Sequence, residues 1–256
     1  MQPARIAELL EPYLGPPGAR RLAPDACDRI STYIDLLQRW NARVNLTAIR
    51  NEEEIVTRHF GESLFAAHRL FAPDTFIAED SPDTGRDVAG YKKSLSHRGR
   101  ALMGRVMGSE KSGALAAVVP VADVGSGAGF PGIPLKLYAP EISLTLIESN
   151  HKKATFLKEL ARTLTLTNIN IQTARAETLT PSSFDVVTLR AVERFEQILP
   201  IAASLLAPKG RLALLIGSAQ FPVARTILCD LAWSAPIAIP NSQSRILAVA
   251  RKPASL

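Results

Sequence analysis

The chain has 256 residues, enough for one sizeable α/β domain with an appended subdomain, and its 46% hydrophobic content falls in the globular range. No apolar run approaches the roughly 20 residues that a membrane-spanning helix requires, and the first residues lack the apolar core of a secretory leader; a cytoplasmic protein with no membrane association is therefore expected. The formal net charge of +6 admits a polyanionic partner without demanding one.

That charge is unevenly spread. Residues 118–256 carry 14 Lys+Arg against 9 Asp+Glu, residues 79–117 carry 7 against 5, and residues 1–78 carry 9 against 10. The positive excess travels mainly with the C-terminal half. Cys27 and Cys229 are the only cysteines, and both lie in apolar-periodic segments. They are predicted to be buried reduced thiols, which leaves no metal site, redox pair or cysteine nucleophile.

Residues 1–72 read as a helical subdomain. Ile30, Tyr33, Ile34, Leu37 and Trp40 recur at helical spacing, with Pro24-Asp25 as the start, and Trp40 is read as a core residue. A loop follows over 41–47. Asn51 then precedes three glutamates, an N-cap with acids beside the positive end of a helix dipole. This second pattern runs through Ile55, His59, Phe60, Leu64 and Phe65 towards Leu70. Over 73–117 the periodicity fails, and a flexible insertion or linker is expected. Within it, Lys92-Lys93 and the cluster at 97–100 are read as a solvated loop in preference to an RNA contact.

From Val118 onward, short apolar runs alternate with helical segments. Strands are predicted over 118–124, 144–148, 169–173, 184–189 and 211–216. Helices fall up to Tyr138 and over 152–164, 195–206 and 222–231. Two late strands, 235–239 and 245–250, are joined by five residues and should pair as an antiparallel hairpin. The alternation implies a doubly wound, mainly parallel α/β sheet over 118–256 that ends in this hairpin.

The chemistry is concentrated at the first strand–helix junction. Gly125, Gly127, Gly129 and Gly132 follow a strand and open a helix, where residues without Cβ allow a sharp turn and close approach to a ligand. The run also satisfies G-x-G-x-x-G, so the glycines alone fit a nicotinamide dinucleotide. Asp123 precedes the first glycine by two residues and can reach a methionyl group directly or orient the loop. Glu148 ends the second strand, where an acid accepts from both ribose hydroxyls. Ala176 and Glu177 follow the third strand and can meet an adenine amino edge. Together these features favour S-adenosylmethionine over NAD. A tight turn that binds nothing is the plain structural alternative.

The run Asp123-Val-Gly-Ser-Gly-Ala-Gly-Phe-Pro-Gly-Ile-Pro-Leu135 resembles the signature of the small-subunit (16S) ribosomal RNA guanine-N7 methyltransferase family, also called glucose-inhibited division protein B. The resemblance recurs in Leu36-Leu-Gln-Arg-Trp-Asn-Ala-Arg-Val-Asn-Leu-Thr47, in Arg58-His59 with Ser63-Leu64, and in Lys152-Lys-Ala-Thr-Phe-Leu-Lys158. Arg175-Ala-Glu177 and Arg190-Ala191 complete it. It covers nearly the whole chain outside 73–117. It implies a class I (Rossmann-like) methyltransferase fold and methyl transfer from S-adenosylmethionine to N7 of a guanine in the 530 loop of 16S rRNA. The acceptor would be naked rRNA or a small-subunit ribosomal particle, and a monomer without metal is expected. Cofactor contacts are implied at Gly125, Phe130, Ala176, Glu177 and Arg190, beside Asp123, Gly127 and Glu148 from the residue reading.

Guanine N7 carries an unprotonated in-plane lone pair, so no general base is needed, and rate comes from alignment and electrostatics. Arg190 is accordingly the one catalytic candidate, in a positioning role. Arg58, His59 and Asn45 are candidates for RNA contact, with helix packing as their alternative. No Asn/Asp-Pro-Pro-Tyr box follows the fourth strand, which reads Thr188-Leu-Arg-Ala191, so exocyclic amino methylation is disfavoured. Two positions depart from the family pattern: Glu62 stands where an Asp is common, and Ile216 where a Lys is usual. Other expectations are a methyltransferase of another RNA or a small molecule, and a silent cofactor- or RNA-binding relative.

Overall fold

A computed structural model describes residues 1–16, 19–71 and 118–254. The expectations placed on 73–117 lie outside these residues. Helix α1 spans Pro3–Leu10 and α2 spans Ala26–Asn41, whose Ile30, Tyr33, Ile34 and Leu37 are all buried. Asp25 occupies the N-cap position of α2 but makes no side-chain capping bond. Asn51 does cap the next helix: its Oδ1 accepts from the Glu54 N–H at 3.0 Å. This helix, α3, is α-helical over Glu52–Glu54, widens to a π-helix over Ile55–Gly61, and returns to α over Glu62–Phe71. The wide turn escaped the sequence reading because one extra residue per turn hardly disturbs an apolar stripe. Such turns re-aim backbone carbonyls and side chains, often at functional sites.

The sheet contains β1 (Pro120–Val124), β2 (Ser143–Ile147), β3 (Ile169–Gln172), β4 (Phe184–Arg190), β5 (Leu206–Gly217), β6 (Ala232–Trp233), β7 (Ile237–Ala238) and β8 (Arg245–Arg251). Its order is β3-β2-β1-β4-β5-β8-β6, with β7 also on β8. Strands β1 to β5 pair in parallel and β8 runs antiparallel to β5. Burial on both faces explains why these strands read as unbroken apolar runs. The late hairpin exists, since Ile237 faces Leu247 and Ala238 faces Ile246. However, β8 spends seven registered pairs on β5, from Arg211–Arg251 to Gly217–Arg245, and only two on β7. The expected 235–239 strand is accordingly reduced to two residues.

Helices α4 (Gly132–Tyr138), α5 (His151–Thr163), α6 (Phe195–Ser204) and α7 (Phe221–Ile227) cover the sheet. Leu206, expected at the end of a helix, instead opens β5. Two apolar clusters result. One contains Val187, Leu189, Leu212 and Leu214 with Leu199 of α6 and Ala224 of α7. The other joins Leu144, Leu146 and Phe156 to Leu37, Phe60 and Leu64 of the N-terminal helices. Residues 1–71 therefore share a core with the sheet rather than resting on it. Trp40 is half-buried in this cluster, and its Nε1 donates to Glu159 Oε2 at 3.1 Å.

Both cysteines are free thiols, but the expectation of burial is corrected: Cys27 is half-buried and Cys229 exposed. Cys229 follows the end of α7, which stops at Ile227, four residues short of the predicted end. No helix among the described residues is long and apolar enough to cross a membrane.

Candidate functional site

The glycine loop is held by backbone bonds. The N–H groups of Gly125 and Ser126 donate to the Ile147 carbonyl at 2.9 and 3.1 Å, which fixes the loop against the end of β2. Gly125, Gly127 and Gly129 have φ of +70°, +54° and +94°, conformations that L side chains rarely adopt. Their surroundings differ. A Cβ on Gly129 would meet the Tyr33 hydroxyl at 2.6 Å, and one on Gly125 would meet Val192 at 3.0 Å. One on Gly127 meets nothing closer than a carbonyl at 3.8 Å, so the loop is open at that point.

Asp123 is completely buried at the end of β1. Its Oδ2 accepts from the Gly132 N–H at 3.1 Å and its Oδ1 from the Thr188 hydroxyl at 2.9 Å. Burial outweighs these bonds and pushes its pKa up to about 6. This geometry supplies the loop-orienting role: the carboxylate ties the start of α4 and the middle of β4 to β1. Glu148 lies just beyond β2, 7% exposed, and accepts from the N–H groups of Gly127 (2.9 Å) and Asn150 (2.7 Å). Each of its oxygens retains acceptor capacity.

Phe130 is 5% exposed. Its ring stacks on Tyr33 at 5.2 Å and on His59 at 4.7 Å, with the edge of Phe60 at 5.0 Å. The side chain implied at the cofactor is thus committed to an aromatic brace behind the loop. Tyr33, fully buried on α2, also donates its hydroxyl to the Ala128 carbonyl. After β3, a 3-10 turn over Ala176–Thr178 places Ala176 inside and Glu177 in solvent. The nearby Thr173 hydroxyl is buried without a partner among the described residues. The open backbone at Gly127, acids at Glu148 and Glu177, and this orphaned hydroxyl fit an adenosine-bearing cofactor.

A small recess, of about 40 Å³, lies at the C-terminal ends of β4 and β5, lined by Arg190, Ala191, Phe195, Ile216, Gln220 and Arg245 among others. Ala191 and Arg194 have φ of +50° and +53°, so the loop after β4 carries backbone strain at both ends. Arg190 donates from Nε and Nη2 to Glu62 Oε2, each at 3.3 Å, and from Nη2 to the Arg58 carbonyl at 2.9 Å. Arg245 Nη2 donates to the same Glu62 oxygen at 3.1 Å and to the Leu215 carbonyl at 3.2 Å. Its Nε is buried without a partner among the described residues.

His59 is buried beside this cluster. The Thr47 hydroxyl accepts from the Ile49 N–H at 3.1 Å, so its own proton is available to His59 Nε2 at 2.8 Å. That assignment leaves the proton of the neutral ring on Nδ1, which is buried and has no partner among the described residues. Burial first, then the charges of Arg190, Arg58 and Arg245, lower its pKa to about 3. Arg58 turns the other way, to solvent, where it pairs with Glu54 at 2.7 Å. Asn45 is also exposed. The three residues grouped as RNA contacts therefore divide: Arg58 and Asn45 lie on the surface, and His59 belongs to the interior.

Sequence reasoning missed Tyr33, Phe195 and Arg245 as parts of the site, and took Glu62 only as a departure from pattern. A signal for Arg245 was present. An antiparallel last strand brings its first residue to the edge where the parallel strands end. Ile216 is 3% exposed, and Arg245 stands opposite Gly217 at this end of β5.

The family model described as GidB, rRNA small subunit methyltransferase G, matches residues 26–76 and 108–224, leaving 77–107 between the two matched blocks. A Ribosomal RNA small subunit methyltransferase G of Xanthomonas axonopodis pv. citri is 33% identical over 86% of this chain and 84% of its own length. The protein of the same name from Halorhodospira halophila is 36% identical over 75% of this chain and 70% of its own. Among solved structures, a SAM-dependent methyltransferase from Aquifex aeolicus superposes with a TM-score of 0.45 at 17% identity, covering 52% of this chain and 81% of that one. By the family match and the length of these alignments, the chain belongs to the rRNA small subunit methyltransferase G family of S-adenosylmethionine-dependent methyltransferases.

Proposed function

We propose that this chain transfers the methyl group of S-adenosylmethionine to N7 of a guanine in the 530 loop of 16S rRNA. The observation that carries this reading is the pairing of the glycine loop with one small recess at the same ends of the sheet's strands. A backbone-lined cofactor loop stands beside an arginine-walled cleft, and the Asp123–Thr188 bond ties β1 to β4 between them. In the cofactor half, Gly125 and Gly127 let the backbone approach the ligand. Glu148 accepts from the ribose hydroxyls, and Ala176 with Glu177 meets the adenine edge.

When bound, the cofactor supplies an electrophilic methyl carbon on a sulfonium sulfur. Gly125, Gly127 and Glu148 would hold that group, and a guanine N7 lone pair would need no activation to accept the methyl. No proton leaves the acceptor, so the site needs no base. His59, held neutral and buried, is not asked to be one. The work of the protein is alignment. Arg190 orients the acceptor through its remaining Nη1 donors, while exposed Arg58 and Asn45 contact the RNA outside the recess.

The test is genetic complementation. A bacterial strain deleted for its own member of this family should lack one 7-methylguanosine in 16S rRNA and regain it when this chain is expressed. Failure to restore the nucleoside while the purified chain still binds S-adenosylmethionine would point to another acceptor and defeat the assignment.

A further inference from the structure

We infer that Glu62 is the positioning residue of the acceptor cleft, its Oε2 clasping Arg190 and Arg245 so that two guanidiniums form one wall. The inference rests on reading that cleft as the acceptor site. Glu62 lies where α3 returns from π to α geometry, and its side chain is 4% exposed. A single oxygen accepts three N–H bonds at 3.1 to 3.3 Å. The partners come from distant sequence, 128 and 183 residues away. Two guanidiniums this close repel unless an anion lies between them. The clasp therefore does more than add an ion pair: it makes their juxtaposition affordable.

The carbonyls complete the fixation. Arg190 is pinned by the Arg58 carbonyl from the π segment, and Arg245 by the Leu215 carbonyl from β5. After these bonds, donors remain. Arg190 Nη1 makes no hydrogen bond among the described residues, and Arg245 Nε is buried and unpartnered. The cluster of Glu62, Arg190 and Arg245 carries a net charge of +1, and a neutral residue at 62 raises it to +2. Apolar side chains in place of a buried ion cluster would cost little stability, so the arrangement is better explained by the geometry it enforces.

The test uses the full chain, small-subunit ribosomal particles and S-adenosylmethionine. Glu62→Gln should lower kcat at least about 30-fold yet leave cofactor affinity within about threefold, because the clasp lies outside the glycine loop. Acceptor binding should become more salt-dependent, its log–log slope steepening by about one as a released guanidinium takes a phosphate. Glu62→Asp, which keeps the charge, should recover most of the loss. Combining Glu62→Gln with Arg245→Met should cost no more than the worse single variant, since both break one unit. Wild-type kcat and salt slope in Glu62→Gln would overturn the inference, as would losses that multiply in the double variant. If Glu62→Gln does not fold, Arg245→Met is read alone: a fall in kcat with cofactor affinity within about threefold is expected, and wild-type kcat would overturn the inference. A substrate-free arm separates this inference from the functional reading. The Arg190 Nε–H proton should exchange slowly in the wild type and fast in Glu62→Gln. Equal exchange overturns the clasp, whereas a wild-type chain that methylates nothing overturns only the function.

Discussion

Along the C-terminal edge of the sheet, the β1–β2 half of the site is built mostly from backbone, and the β4–β5–β8 half mostly from charged side chains. In the first, Gly125 and Ser126 donate to one carbonyl, and the nearest carboxylates, Asp123 and Glu148, accept from loop amides. In the second, one carboxylate organises two arginines gathered from far along the chain. The contrast sets the sensitivities. A backbone cradle is damaged by any added Cβ and is indifferent to ionic strength, whereas a side-chain wall tolerates changes of shape and responds to charge.

The largest effect should come from filling the cradle. Gly125→Asp places a side chain where Val192 already stands at 3.0 Å, on a backbone with φ of +70°. Calorimetry should show at least about a 100-fold loss of S-adenosylmethionine affinity, near 2.7 kcal/mol. Undiminished binding would mean that the ligand lies elsewhere and the contrast is false. Arg190→Ala should give the converse pattern, with kcat/KM for the RNA falling about 100-fold while cofactor affinity changes less than about tenfold. Equal losses in both quantities would merge the two halves into one.

A smaller effect concerns pH, and it isolates a residue that stands between the halves. His59 is pushed from 6.5 down to about 3, so its contribution to stability is whole above 6.5 and is lost as pH falls towards 3. Asp123, raised from 3.8 to about 6, runs oppositely: its contribution is whole below 3.8 and lost as pH rises through 6. From these two groups alone, the slopes oppose between about pH 4 and 6. His59→Gln removes one of them. Urea midpoints should therefore show a deficit against wild type that shrinks as pH falls from 6.5 to 4, by up to about 1.4 kcal/mol per unit. A constant deficit would mean that His59 titrates normally.

The same contrast decides what could be read from sequence. The cofactor half is local: Asp123, the glycines, Glu148 and Ala176-Glu177 follow one another at the ends of successive strands, and β–α alternation puts such positions on one edge. The acceptor half is not local. Glu62 looked like a helix residue, Arg245 like a charge in an apolar strand, and Tyr33 like one more core position. Their convergence depends on a π-turn, on β8 entering beside β5, and on α2 packing behind the loop. None of these has a periodic signature. Phe130 shows the limit from the other side, since its place in the motif was legible but its burial between Tyr33 and His59 required the helices of 1–71 to be in position.

The most direct measurement is mass spectrometry of 16S rRNA after incubation of the purified chain with methyl-deuterated S-adenosylmethionine, on both deproteinised rRNA and small-subunit particles from a strain lacking this modification. The expected result is a single deuterated 7-methylguanosine within the 530-loop fragment on at least one of these acceptors. A label on any other nucleoside, or none on either acceptor from a chain that binds the cofactor, would contradict the assignment.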